Sequence, residues 1–267
     1  MNARDDLEAT PYVRVDTHGP VRTITLNRGA RYNALSQAMI GALDDALQTV
    51  AVDPSVRVVV LAADGRGFCA GHDLVEMQAN PSRDWQDAVF AACNRMMMRL
   101  TELPQPVIAR VHGLATAAGC QLVSMCDLAV AAEEARFGLP GVNIGVFCST
   151  PAVGVARNIG RKRTMELLLT GTPIDAPTAA EWGLVNRVVA PDELDGAVRA
   201  LADKVADASA VTLRIGKEAF YRQVDLPEDA AYEQMRETMA TNAMTCDAQE
   251  GMSAFLAKRA PVWQHHD

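Results

Sequence analysis

Proton and nucleophile chemistry in this chain concentrates in three short stretches. His72 lies in Phe68-Cys-Ala-Gly-His-Asp-Leu74, and an imidazole titrates close enough to neutrality to give or take a proton. Two readings are open for its ring: a proton carrier inside a site, or a group that points outward or hydrogen-bonds to Asp73. Gln121 follows the small-residue run Ala117-Ala-Gly119, and its carboxamide can orient a water but cannot take its proton. Ala118 stands near a helix start, where backbone N–H groups and the positive end of the macrodipole favour an anionic oxygen. Cys148 is followed by Ser149, Thr150 and an apolar helix near Pro151. A helix end that lowers its pKa would make Cys148 a nucleophile; otherwise it is a structural thiol, with Ser149 or Thr150 as the helix cap. Asn143 suits a polar pocket or a turn, and Gly141 brings no side chain at all.

Other chemistries find little support. The six cysteines, at 69, 93, 120, 126, 148 and 246, have no paired spacing that suggests zinc, and no metal site is expected. Gly65-Arg-Gly67 lacks the third glycine that opens the helix of a dinucleotide site. A net charge of -8 argues against a nucleic-acid surface, and Arg161-Lys-Arg163 reads as a solvated helix face. With 22% charged and 49% hydrophobic residues and no uninterrupted apolar run of about 18, no membrane partner is expected. The acidic N-terminus has neither an export core nor transit-peptide character, so residues 1–10 read as a disordered lead-in and the location as cytoplasmic.

These residues need a scaffold, and the apolar pattern outlines one. Tyr12 to Asp16 and Val21 to Leu26 alternate around Thr17-His-Gly-Pro20, the signature of a hairpin. Ser36 caps a helix with Met39, Leu43, Leu47 and Val50 on one face, ended by Asp53-Pro54. Val56 to Ala62 is then a nearly continuous apolar strand. A similar alternation recurs: helix from about Asp84 to Leu103, strand Val107 to Val111, helix Ala118 to Met125, strand Leu128 to Ala132. Helical periodicity dominates after Arg161, broken by Arg187-Val-Val189 and by Pro191, Pro227 and Pro261. The acidic stretch from Asp192 to Leu194, with Asp192 and Glu193, and the pair Asp247 and Glu250 open two of the later helices in keeping with the macrodipole. The class expected is α/β, with a core over 11–195 and a helical region over 196–267.

Several blocks together resemble the crotonase (enoyl-CoA hydratase/isomerase) family: Asn27-Arg28 with Tyr32-Asn-Ala-Leu35, Phe68 to Leu74, His112 to Asp127, and Phe137-Gly-Leu-Pro-Gly-Val-Asn-Ile-Gly145. Leu169-Thr-Gly-Thr-Pro-Ile174, Gly183-Leu-Val-Asn186 and Gly251 to Trp263 complete the order across nearly the whole chain. The resemblance implies a crotonase spiral of ββα units with an acyl-CoA pocket, and a C-terminal helical region that makes a homotrimer or a dimer of trimers. It also implies a thioester oxygen held by the backbone N–H groups of His72 and Ala118, each such donor being typically worth about 3–4 kcal/mol in a transition state. Coenzyme A would come as part of the substrate, with no permanently bound cofactor, past Arg28, Ala34, Ala70, Gly71, Asp73, Leu74 and Cys148. Asp127 would brace backbone groups. Gln121 and Gly141 stand where hydratases carry catalytic glutamates, as in a subgroup of the family that lacks both. Loss of such an acid/base group commonly costs about 10²–10⁴ in rate, so ordinary hydration is not expected. The alternative is a non-catalytic acyl-CoA-binding or regulatory protein.

Overall fold

The alternating residues on either side of Gly19-Pro20 form an antiparallel hairpin of β1 (Val13–His18) and β2 (Val21–Leu26). The computed structural model describes residues 10–266, so the expected lead-in lies outside the described residues except for its last member. Ser36 caps α1 (Gln37–Ala51) by accepting from the Met39 N–H at 3.2 Å, and Met39, Leu43, Leu47 and Val50 are all buried. β3 (Val58–Ala63) runs parallel to β2 and is buried throughout. Its side chains alternate between two cores, Val59 and Leu61 entering one, Val58 and Val60 the other. Burial on both faces is the reason this strand reads as a continuous apolar run.

The chain continues through β4 (Gly67–Cys69), α2 (Leu74–Ala79), α3 (Arg83–Glu102), β5 (Val107–Val111), β6 (Leu114–Thr116), α4 (Ala118–Met125), β7 (Leu128–Ala132), β8 (Arg136–Gly138), a 3-10 segment Pro140–Ile144 and α5 (Ser149–Ile159). After α6 (Arg161–Thr170) come β9 (Ile174–Asp175), α7 (Ala176–Trp182), β10 (Arg187–Val189) and α8 (Leu194–Ala206). Two sheets result, ordered β1-β2-β3-β5-β7-β10 and β4-β6-β8-β9. Three times a strand of the first sheet is followed by a three-residue strand of the second and then by a helical segment. This is the α/β spiral of ββα units. Sequence periodicity predicts its first-sheet strands and misses the second sheet, because three-residue strands such as β4 and β8, each with a glycine, carry no alternation.

Beyond the spiral lie α9 (Ala210–Gln223), α10 (Glu228–Ala243) and α11 (Cys246–Leu256). A boundary after residue 195 passes through α8, whose Leu194, Val198, Ala202 and Ala206 pack on the first sheet and belong to its core. Asp127 braces the next joint. Its carboxylate accepts from the Val107 N–H at 2.7 Å and the Tyr221 hydroxyl at 2.9 Å, and pairs with Lys217 Nζ at 2.7 Å. Lys217 also donates to the carbonyls of Leu100 and Gln105 at 2.8 and 2.9 Å, pinning α9 to the end of α3. The acids near the start of α11 do more than complement a dipole. Asp247 is fully buried and accepts from Ser209 Oγ and from the backbone N–H groups of Gln264 and His265. Glu250 holds Arg259 at 2.5 Å and the Val262 N–H at 2.8 Å, so the pair ties the C-terminal tail back onto the helices.

Candidate functional site

The loop after β4 brings Gly71 against the start of α4. Gly71 has φ +92, and a Cβ there would stand 2.8 Å from the Ala117 Cβ and 3.2 Å from the Ala118 nitrogen. Only glycine fits this approach. Leu35 pairs with the same loop, donating to the Gly71 carbonyl and accepting from the Asp73 N–H, which leaves the intervening His72 N–H unused. Ala118 is the first residue of α4, where an N–H has no acceptor within the helix. Neither N–H has a partner among the described residues.

Backbone strain at this junction falls on Ala117. Ala117 is held at φ 49, ψ -122, a conformation that L-residues rarely adopt, while Ala118 is helical. Its N–H donates to the Gly138 carbonyl at 2.9 Å and its carbonyl accepts from the Gln121 N–H at 3.1 Å. Both backbone groups of the strained residue are thereby fixed.

His72, Ala117 and Ala118 open onto a cavity of about 860 Å³. Ala34, Ala70, Asp73, Leu74, Gly141, Asn143 and Cys148 line it as well, so the structure gathers most of the pocket residues expected from sequence. Its remaining walls are largely apolar, with Val75, Met77, Phe90, Ile144, Val146 and Phe147 among them. Phe90 sits in α3, and Arg31, 57% exposed at its side chain and 4.0 Å from Asp73, stands at the rim shared with a smaller pocket. Sequence reasoning missed both. Arg31 falls between the Asn27-Arg28 and Tyr32-to-Leu35 strings, whereas Phe90 is brought in only by packing and has no local signal.

Gly71 itself does not line the cavity, and two further expected positions lie elsewhere. Arg28 lines the smaller pocket, stacked 3.9 Å from the Tyr12 ring centre, and donates to the carbonyls of Thr10, Pro11 and Asn27. Its charge braces the first strand. Gln121 is buried and absent from the cavity wall, and its Oε1 has no hydrogen-bond partner. At Gly141 an added Cβ would meet the Val146 carbonyl oxygen at 2.1 Å and Cys148 Sγ at 2.8 Å, with the Val146 N–H donating back to Gly141 at 2.9 Å. The loop has closed over the space a side chain would need.

The titratable groups correct two further readings. Asp73 caps α2, its Oδ1 accepting from the Val75 and Glu76 N–H groups at 3.0 and 3.2 Å, and makes no bond to His72. The His72 ring turns inward instead, edge-on to Phe90 with centroids 5.1 Å apart. Both ring nitrogens are shielded and unpartnered. Burial pushes its pKa below the usual histidine value; the Leu35 carbonyl opposes this without reaching hydrogen-bond geometry. Leaving such a group unpaired typically costs about 1–3 kcal/mol. Burial likewise raises the Cys148 thiol above its ordinary pKa, against a weaker effect of the Gly141 backbone, the opposite of the activation a nucleophilic thiol needs. Cys148 itself occupies the cap position of α5 with no side-chain cap bond, so neither Ser149 nor Thr150 caps that helix. Among the described residues no cluster of His, Cys, Asp and Glu is arranged to hold a metal.

Comparison with known proteins agrees with the fold. The sequence pattern of the enoyl-CoA hydratase/isomerase family matches residues 16–266. A Xenopus laevis protein named enoyl-CoA hydratase domain-containing protein 3, mitochondrial, is 42% identical over 265 residues, which span 99% of this chain and 90% of that protein. The crystal structure of an enoyl-CoA hydratase from Mycobacterium smegmatis superposes with a TM-score of 0.94 at 52% identity, covering 95% of this chain and 99% of that one. That of human enoyl-CoA hydratase domain-containing protein 3 gives 0.92 at 41% identity, over 94% and 100%. Similarity to domain-containing protein 3 is what the Gly113–Leu122 and Pro140–Pro151 strings suggest. No helix among the described residues is long and apolar enough to cross a membrane.

Proposed function

This chain belongs to the enoyl-CoA hydratase/isomerase family, and we propose that it binds an acyl-CoA thioester and stabilises its enolate oxygen between the backbone N–H groups of His72 and Ala118. The observation that carries the reading is the pair of unpartnered N–H groups, brought together at Gly71 on the wall of one apolar cavity. Such donors act on an oxyanion without any side-chain acid, so replacing glycine by Ala118 does not remove the hole. Ordinary hydration is not part of the proposal, because neither Gln121 nor Gly141 offers an acid or base to the cavity. Those two positions favour the alternative, a non-catalytic acyl-CoA-binding or regulatory protein.

Coenzyme A enters as part of the ligand and no cofactor stays bound. Calorimetric titration with a panel of acyl-CoAs tests this: binding is expected, and failure to bind every member refutes it. Hydration of crotonyl-CoA is expected to be very low; turnover near that of ordinary hydratases would overturn the account of Gln121 and Gly141. Self-association as a homotrimer or dimer of trimers is supported by the exposed Phe220, Tyr232, Met239, Met244, Phe255 and Leu256 on or beside α9, α10 and α11. Light scattering after size exclusion would read it, a monomer at micromolar concentration being the contrary result. The location proposed is cytoplasmic; the frog relative is by its name mitochondrial.

A further inference from the structure

Among the titratable side chains on the cavity wall, one is left without an assignment. Asp73 caps α2, Arg31 stands at the exposed rim, and Cys148 is a buried thiol. His72 has both nitrogens inside the protein, with no acceptor, donor or carboxylate partner. A purely structural buried imidazole normally has at least one nitrogen bonded; here neither is, and the ring rests edge-on against Phe90. Rotation of the ring about its side-chain bonds therefore breaks no hydrogen bond. His72 lines the cavity and its own N–H is one of the two proposed oxyanion donors, so a turn of the ring toward the cavity is what brings a nitrogen to the carbon next to the thioester carbonyl.

We propose that the His72 imidazole is a catalytic base that reversibly removes the α-proton of a bound acyl-CoA carrying an uncharged, apolar acyl group. The inference rests on the thioester reading above. One unprotonated ring nitrogen takes the proton, and the electrons of the broken C–H bond move onto the thioester oxygen, held by the N–H groups of His72 and Ala118. Return of a proton, or a deuteron acquired from solvent, to the same carbon restores the thioester with nothing oxidised or reduced. Burial keeps the free imidazole neutral at pH 7, the form this step needs. Uncharged acyl groups are selected because the cavity wall is largely apolar, with Phe90 against the His72 ring, while Arg31, the cation among the lining residues, stands exposed at the rim 4.0 Å from Asp73.

The experiment is deuterium wash-in at the α-carbon of 3-hexenoyl-CoA in D2O, read by mass spectrometry, alongside calorimetric binding of the same compound. Wild-type protein is expected to bind and exchange. His72→Ala and His72→Asn keep the backbone N–H and are expected to bind within a few-fold while exchange falls by about 10²–10⁴. Added imidazole should restore exchange to His72→Ala, which a structural role for the ring would not allow. Binding without exchange in the wild type, or exchange unchanged in both variants, overturns the assignment of His72 and leaves the binding site standing. Absence of binding by the wild type overturns the thioester reading itself. Should His72→Ala lose its circular dichroism signature, the comparison passes to His72→Asn.

Discussion

Restoring glutamates at positions 121 and 141 is the obvious way to give this pocket a hydratase's acids, and the geometry predicts that it fails at 141. A Cβ on Gly141 lies 2.1 Å from the Val146 carbonyl oxygen, where real contacts essentially never fall below 3.0 Å, so the loop must retreat by about 0.9 Å before the rest of a side chain is added. The same Cβ presses on Cys148 Sγ at 2.8 Å, and Cys148 opens α5, so movement in that direction displaces a helix end. Overpacking of this kind typically costs about 1–3 kcal/mol. Opening the loop also breaks the 2.9 Å bond from Val146 to Gly141, a further ~0.5–1.5 kcal/mol. Gly141→Ala isolates the steric part. Urea unfolding followed by circular dichroism is expected to show a loss of about 1–3 kcal/mol for Gly141→Ala and more for Gly141→Glu. Gln121→Glu adds a carboxyl at a buried site off the cavity wall, so the double variant is expected to gain no crotonyl-CoA hydration. An unchanged unfolding midpoint for Gly141→Ala, or hydration by a stably folded double variant, would refute the reasoning.

Ala117→Gly is expected to stabilise the protein by roughly 0.5–2 kcal/mol in urea unfolding, since relief of a ~1–3 kcal/mol backbone strain outweighs glycine's extra unfolded-state entropy; a destabilised variant would contradict the strain at φ 49. Lys217→Met leaves Asp127 in the interior without its cation and is expected to cost about 3–5 kcal/mol, toward the lower end because Val107 and Tyr221 still donate to the carboxylate. A loss below 1 kcal/mol in the same assay would show that the pair does not pin α9. The tail should loosen in acid. Hydrogen bonds from Arg259 and the Val262 N–H hold the Glu250 carboxyl at about 2, below its ordinary 4.5, so its contribution is complete above about 4.5 and is lost as pH falls through about 2. Fluorescence of Trp263, whose Nε1 donates to the Asp207 carbonyl, is the readout, and Glu250→Gln is expected to remove the acid-dependent change in that window. A variant that still titrates as the wild type does would assign the effect to another group.

Helix α1 and strand β3 show how far local pattern carries. The α1 face and its Ser36 cap depend on residues three and four apart, and the β3 run depends on burial of both faces, so each is written in consecutive positions. Asp127 was also legible as a brace, although its partners Lys217 and Tyr221, about ninety residues away in the chain, were not. The second sheet was not legible, because β4, β6 and β8 are three residues each.

For the site, the sequence by itself determined the residue types and their order, and the family resemblance they carry marked most of the cavity wall and the positions of the two missing acids. Tertiary structure decided what the missing acids mean. Gln121 lies off the cavity wall, and the loop from Gly141 to Cys148 has taken the room a glutamate would use. It also decided the direction of His72: the neighbour that Asp73 offered in sequence is used by the N-terminus of α2, and Phe90 of α3 supplies the surface on which the ring rests. Periodicity and capping act over a few residues along the chain, whereas the aim of a side chain is set by packing between segments that meet only when the chain is folded.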